Sequence, residues 1–238
     1  MDLGKREAIV LAGGLGTRLR GVIGDFPKCM ALINGKPFLY YLFQFLAAQK
    51  IEKVILSLGY RSEVVTDWLR ENTFPFAIDF VVENEPLGTG GGIQLAMKKA
   101  CAENVFVLNG DTFFKLDFDT MKQLHLSKNA VATLALKEMG NAERYGTVKL
   151  NESLAITCFE EKMPNSSGLI NGGLYLVNRT KFLTKNFPEK FSFETEFLHP
   201  ASGKGQIFGF PSQGYFIDIG IPSDYEKAQL DFKLNFPE

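Results

Sequence analysis

Cysteine is scarce, neither charge sign dominates and no apolar run is long, and each shortage excludes a class of protein. The 238 residues hold three cysteines, Cys29, Cys101 and Cys158. They lack Cys-x-x-Cys spacing, which argues against a disulfide framework and fits a reducing compartment, the cytoplasm. Lys and Arg number 26 against 27 Asp and Glu, a formal net charge of −1. No global field therefore attracts nucleic acid or an anionic membrane, and any anion must be held by a local site. The longest mostly apolar stretch, residues 38–48, is broken by Gln44 and falls short of the ~20 residues that span a bilayer. It predicts a core helix. The charged residues 1–7 run straight into an apolar strand and a glycine loop without a cleavage pattern, so no export signal is expected.

Two common phosphate motifs are also missing. No Gly-x-x-x-x-Gly-Lys-Ser/Thr starts at Gly13 or Gly14, and Gly14-Leu15-Gly16 is followed by Thr17-Arg18-Leu19 rather than by x-x-Gly. What is present is Leu11-Ala12-Gly13-Gly14-Leu15-Gly16-Thr17-Arg18-Leu19 directly behind the apolar run 8–11, with Pro27-Lys28-Cys29-Met30 downstream. A glycine loop leaving a buried strand exposes backbone N–H groups to which polyphosphate oxygens can come close. Arg18 and Lys28 add fixed positive charge for the same anion.

Along the chain, apolar runs of strand length alternate with helical patterns. Strands are expected at 8–11, 54–58, 76–82 and 105–108, and helices at about 38–49, 62–69, 91–100 and 118–126. Such alternation implies an α/β fold with a doubly wound, mainly parallel sheet. Ligands in these sheets bind beyond the carboxyl ends of the strands. There lie the glycine loop, residues 83–92 and Asn109-Gly110-Asp111. After about 130 shorter strands, 130–136, 146–150, 156–160 and 173–177, are read as a mixed continuation of the same sheet, closed by a helix over 223–234. No linker divides the halves, so residues 1–238 are expected to form one domain. No hexapeptide array is seen, so no C-terminal β-helix is expected.

Gly-Gly-x-Gly-Thr-Arg-Leu followed by Pro-Lys-x-Met resembles the sugar nucleotidyltransferases, or nucleoside-diphosphate-sugar pyrophosphorylases. The resemblance implies their Rossmann-like fold and a reaction in which a sugar 1-phosphate takes a nucleotidyl group from an NTP and releases pyrophosphate. It implies nucleotide contacts from Leu11, Ala12, Gly13, Gly14, Gly16 and Thr17. Arg18 is assigned to the β- and γ-phosphates and Lys28 to the α-phosphate. Asp111 and Asp218, in Phe216-Ile217-Asp218-Ile219-Gly220, match the family's metal carboxylates. Oxygen ligands with no histidine nearby suit Mg²⁺. Asp117, Asp119 and Asp224 read as turn or helix caps instead.

On the sugar side the resemblance implies Lys162 at the sugar phosphate, Glu161 at sugar hydroxyls, and Gly146 and Asn171 lining the pocket. Met163 separates Lys162 from Pro164, and Cys29 stands where relatives usually have proline. Residues 83–92 match the base-recognition segment, including Glu83, Gly88 and Thr89. A carboxylate only accepts hydrogen bonds, which complements the N1–H and N2–H₂ donors of guanine and favours GTP. Over essentially the whole chain the resemblance is greatest to compact family members that use GTP and D-glycero-α-D-manno-heptose 1-phosphate. Mannose-1-phosphate guanylyltransferases and muramate-type uridylyltransferases are the alternatives within the family.

A non-catalytic sugar-nucleotide sensor on the same fold would be expected to lose a loop cation or a metal carboxylate, and this chain keeps Arg18, Lys28, Asp111 and Asp218. A dehydrogenase is disfavoured by the missing dinucleotide motif. A homodimer is the expected assembly if one forms, with Phe191, Phe193 and Phe197 as exposed interface candidates.

Overall fold

A computed structural model describes residues 4–14, 16 and 18–235. The strands are β1 (Glu7–Ala12), β2 (Leu32–Ile33), β3 (Lys36–Pro37), β4 (Lys53–Leu58), β5 (Ala77–Val82), β6 (Asn104–Asn109), β7 (Thr112–Phe114), β8 (Ala132–Met139), β9 (Val148–Leu150), β10 (Ile156–Phe159), β11 (Gly168–Asn178), β12 (Ile207–Ser212) and β13 (Phe216–Asp218). The α-helices are α1 (Arg20–Ile23), α2 (Phe38–Ala48), α3 (Ser62–Glu71), α4 (Gly88–Met97), α5 (Phe118–Ser127), α6 (Arg179–Leu183), α7 (His199–Ala201) and α8 (Pro222–Asn235).

Seven strands form one sheet in the order β12-β8-β11-β6-β1-β4-β5. All run parallel except β11, which is antiparallel to both β6 and β8. The mainly parallel, Rossmann-like α/β sheet expected from the alternation is therefore present. β1 can be apolar at nearly every position because both faces are covered. Ala8 and Val10 join a core with α2 on one face, and Ile9 joins a second core with α4 on the other. Helix α2 buries Phe38, Leu39, Tyr41, Leu42, Phe43, Phe45 and Leu46, while Gln44, the break in its apolar run, faces outward. No helix among the described residues is long and apolar enough to cross a membrane.

Several element ends are shifted by a few residues from expectation, and two differences have a clear physical cause. Helix α4 starts at Gly88 rather than 91, because Gly88, at φ 73°, turns the chain directly into it. The second difference concerns β9 and β10, which do not continue the main sheet but pair with each other as a two-stranded ribbon. Val148 and Ile156 are buried while Lys149, Thr157 and Cys158 are exposed. Such one-sided strands cannot fill the interior of a sheet covered on both faces. Strands β2, β3, β7, β12 and β13 have no counterpart among the expected strands. Asp117 caps α5 as expected, accepting the Thr120 N–H at 2.6 Å. Asp119 does not cap; it forms an ion pair with Arg6.

Between α5 and the sheet lies a buried polar group. His125 Nε2 is 3.0 Å from Asn104 Oδ1, which also accepts from Asn178 Nδ2 at 3.2 Å. An acceptor at Nε2 makes that nitrogen the N–H, so Nδ1 accepts the Thr133 hydroxyl at 2.9 Å. Burial, reinforced by the positive charges of Lys181 and Lys122, lowers the His125 pKa to about 4. The fold thus stabilises neutral His125. That stability is complete above the unfolded pKa near 6.5 and is lost as pH falls from there towards 4. From pH 7.5 to 5 the loss should be about 2 kcal/mol. Urea unfolding of the native chain and His125→Gln at both pH values checks this: the variant should lack that part of the pH dependence, and equal slopes would contradict it.

Candidate functional site

β1 continues to β4 and β5 on one side, whereas β6 lies on its other side. The chain therefore reverses direction across the sheet between β1 and β6, which is where an open α/β sheet forms its ligand crevice. At their carboxyl ends lies a cavity of about 630 Å³. Leu11, Ala12, Gly13 and Gly14 line it from the glycine loop, Lys28 and Asp111 from its phosphate-facing candidates, and Glu83, Gly88 and Thr89 from the base-recognition segment. Asn109 and Gly110 of the strand-end cluster line it too, as do Ser57 and Tyr60, which sequence reasoning did not single out. Gly16 and Arg18 do not line it; Arg18 is exposed on the turn that follows the loop. Thr17 lies outside the described residues.

Asp111 and Asp218 are brought together by the antiparallel pair β7 and β13, in which Asp218 faces Thr112. The Ile219 N–H also donates to the Asp111 carbonyl at 3.0 Å. Lys28 stands between the two carboxylates, hydrogen-bonded to Asp111 Oδ2 and 3.9 Å from Asp218 Oδ1. Burial raises the Asp218 pKa, the Asp111 charge adds to the rise, and the Lys28 ammonium and the Gly220 N–H oppose it. The Gly220 hydrogen bond measures 2.8 Å.

This donor set fits a small hard cation. It offers paired carboxylate oxygens, and burial pushes the neighbouring Cys29 thiol up to about 12, which keeps it protonated and unsuited to metal binding or nucleophilic attack. No group of three or more His, Cys, Asp or Glu among the described residues could hold a metal. Two carboxylates leave coordination positions for water and phosphate, as Mg²⁺ requires.

Glu83 follows β5 and reaches across the end of β4. Its Oε1 accepts the Ser57 hydroxyl at 3.1 Å and its Oε2 accepts the Leu87 N–H at 3.0 Å. The Thr89 hydroxyl is occupied differently, accepting the Phe193 N–H at 3.0 Å. The glycines of α4 accommodate the same segment: a Cβ on Gly90 would lie 2.3 Å from the Phe191 ring, and Gly90 N–H donates to the Phe191 carbonyl at 3.0 Å. Phe191, Phe193 and Phe197 are accordingly buried, not exposed. They cluster with Phe182 and Phe187 behind α4, so the expectation that they form an interface is overturned.

The sugar-side candidates stand apart from the cavity. Asn171 donates to Tyr175 at 2.8 Å and to Glu194 at 3.0 Å, and its Oδ1 accepts the Gly173 N–H at 3.1 Å. Gly146 packs against the Glu160 carbonyl. Glu161 and Lys162 are exposed on the segment after β10, and none of these four lines the cavity. Asp224 is not a cap: it accepts from Arg144 Nη1 at 2.7 Å. The Arg144 guanidinium lies 5.5 Å from the Tyr145 ring centroid. Burial pushes the Tyr145 phenol up to about 12, and the charge of Asp218 adds to the rise.

The contact between α4 and Phe191 carries a stability prediction. Gly90→Ala should force the ring or the helix to shift and cost about 1–3 kcal/mol, despite alanine's better helix propensity. Chemical denaturation measures it; an unchanged or raised midpoint would contradict the packing described.

The nucleotidyl transferase family matches residues 7–234. The chain is 48% identical to a D-glycero-alpha-D-manno-heptose 1-phosphate guanylyltransferase of Aneurinibacillus thermoaerophilus, over 95% of this chain and 98% of that one. It is 45% identical to the enzyme of the same name from Campylobacter jejuni, over 92% and 96% of the two chains. The crystal structure of HddC from Yersinia pseudotuberculosis complexed with GMP-PN is similar with a TM-score of 0.86 and 40% identity, covering 96% of this chain and all of that one. Fold, glycine loop and sequence agree, and the chain belongs to the nucleotidyl transferase family.

Proposed function

We propose that the chain catalyses guanylyl transfer from GTP to D-glycero-α-D-manno-heptose 1-phosphate, giving a GDP-heptose and pyrophosphate. The observation that carries this reading is the joint presence of Glu83, Lys28 and Asp111 in one cavity at the β1–β6 reversal. The names of the relatives at 48% and 45% identity support the choice of GTP and of the heptose phosphate. Residues 1–238 act in this reading as one nucleotidyltransferase domain, supported by a single sheet that draws strands from both halves. The three free cysteines support a cytoplasmic setting.

In the reaction a phosphate oxygen of the sugar 1-phosphate bonds to the α-phosphorus of GTP, and the bond from that phosphorus to the bridging oxygen of pyrophosphate breaks. Two anions must be brought together, so positive charge at fixed positions does most of the work. Leu11, Ala12, Gly13, Gly14, Gly16 and Thr17 present the nucleotide loop, with Gly88 and Thr89 at its base end. Lys28, held rigidly by Asp111, meets the α-phosphate, and Arg18 meets the departing pyrophosphate. Lys162 meets the sugar phosphate, with Glu161, Gly146 and Asn171 on the sugar side. Asp111 and Asp218 would hold Mg²⁺, which supplies charge neutralisation at the phosphates. Glu83 accepts from the guanine edge.

Pyrophosphate release with GTP, ATP, CTP and UTP against a panel of hexose and heptose 1-phosphates tests the reading. The expected outcome is the highest kcat/KM with GTP and the manno-heptose 1-phosphate. A preference for UTP would overturn the guanylyl assignment, and absence of turnover with any sugar 1-phosphate would overturn the enzyme itself.

A further inference from the structure

Gly92 occupies the interior of α4, where glycine lowers helix stability relative to alanine. Its φ is ordinary, so backbone conformation does not require it there. Space does. A Cβ at this position would stand 2.7 Å from Glu83 Oε1 and 2.9 Å from Ser57 Oγ. Ser57 is itself unusual: it is a fully buried polar side chain in β4, whose other inward positions are Val54, Ile55, Leu56 and Leu58. Its hydroxyl donates to Glu83 Oε1 at 3.1 Å, while the Leu87 N–H, just before α4, donates to Oε2 at 3.0 Å. The carboxylate is thus gripped once on each oxygen, between the end of a strand and the start of a helix.

A carboxylate has about two acceptor sites per oxygen. With one taken on each oxygen, one remains on each, and two acceptors side by side are what the N1–H and N2–H₂ of guanine need. We propose that Ser57 and Gly92 are positioning residues for base choice: together with the Leu87 N–H they hold the Glu83 carboxylate so that both oxygens keep a free acceptor for guanine. This rests on the reading that Glu83 meets the base. A purely structural tie between β4 and the segment after β5 would alter stability without altering the choice between bases.

The test is the ratio of kcat/KM for GTP to that for ITP, whose base keeps N1–H but lacks the N2 amino group. Glu83→Gln, Ser57→Ala and Gly92→Ala are compared with the native chain after their folding is verified by melting. Glu83→Gln should lower the ratio, as the base reading requires. Ser57→Ala, with Glu83 still present, should lower it about three- to tenfold, the scale of one net hydrogen bond. Gly92→Ala makes the same test with the Ser57 hydroxyl still present, because its methyl crowds both the Glu83 carboxylate and that hydroxyl, and the ratio should fall at least as far. If Glu83→Gln lowers the ratio while folded Ser57→Ala and Gly92→Ala both keep the native value, the positioning role is overturned and the base reading stands. If Glu83→Gln leaves the ratio unchanged, Glu83 does not read guanine and the positioning role falls with it.

Discussion

Lys28 sits between two carboxylates that would otherwise repel each other, and much of the architecture serves to bring those three groups together. Asp111 comes from the turn between β6 and β7, Asp218 from β13, and Lys28 from the start of a single 3-10 turn, Lys28–Met30, that follows α1. They are 83 and 190 residues apart from Lys28 along the chain, so only the closed fold unites them. The electrostatic cost is visible at Asp218, whose pKa is raised by burial and by Asp111. One ammonium for two carboxylates leaves a net negative locus, which a divalent cation is suited to neutralise. The same locus keeps the lysine charge directed at a fixed point instead of sampling solvent, and fixed charge is what transition-state stabilisation needs.

The other end of the cavity is held by packing rather than by charge. The glycine run in α4 lets Glu189 and Phe191 approach the helix on one side and lets the Glu83 carboxylate approach on another. Five phenylalanines close the far side of that contact. A phosphate motif read from glycine spacing alone would assign these residues to ligand contact. In the fold Gly90, Gly91 and Gly92 set distances between protein groups, while Gly88 and the Glu83 carboxylate they leave room for line the cavity.

Much of this was legible in the sequence. Strands β1, β4 and β6 were, because burial on both faces makes each a compact apolar run; β5, a half-exposed edge strand, was legible from its apolar residues alone, and the loop after β1 and Asp111 followed from their places at strand ends. Asp218 was legible only through resemblance, since β13 is three residues long and has no periodicity of its own. β12 carries Gly209 and Pro211, which blur the apolar pattern and are tolerated because it is an edge strand. Phe191, Phe193 and Phe197 looked exposed because their burial depends on α4, about 100 residues earlier. Ser57 offered a signal, one polar residue in an apolar parallel strand, but its partner Glu83 is set by tertiary pairing that no local pattern reveals.

In the proposed reaction the Asp111–Lys28–Asp218 group is a cation and phosphate site. Mn²⁺ binding in the presence of a non-hydrolysable GTP analogue, followed by electron paramagnetic resonance, tests it without relying on turnover. The native chain is expected to bind Mn²⁺, and Asp111→Asn and Asp218→Asn, each folded, should weaken that binding about tenfold or more. Undiminished Mn²⁺ affinity in both variants would contradict it.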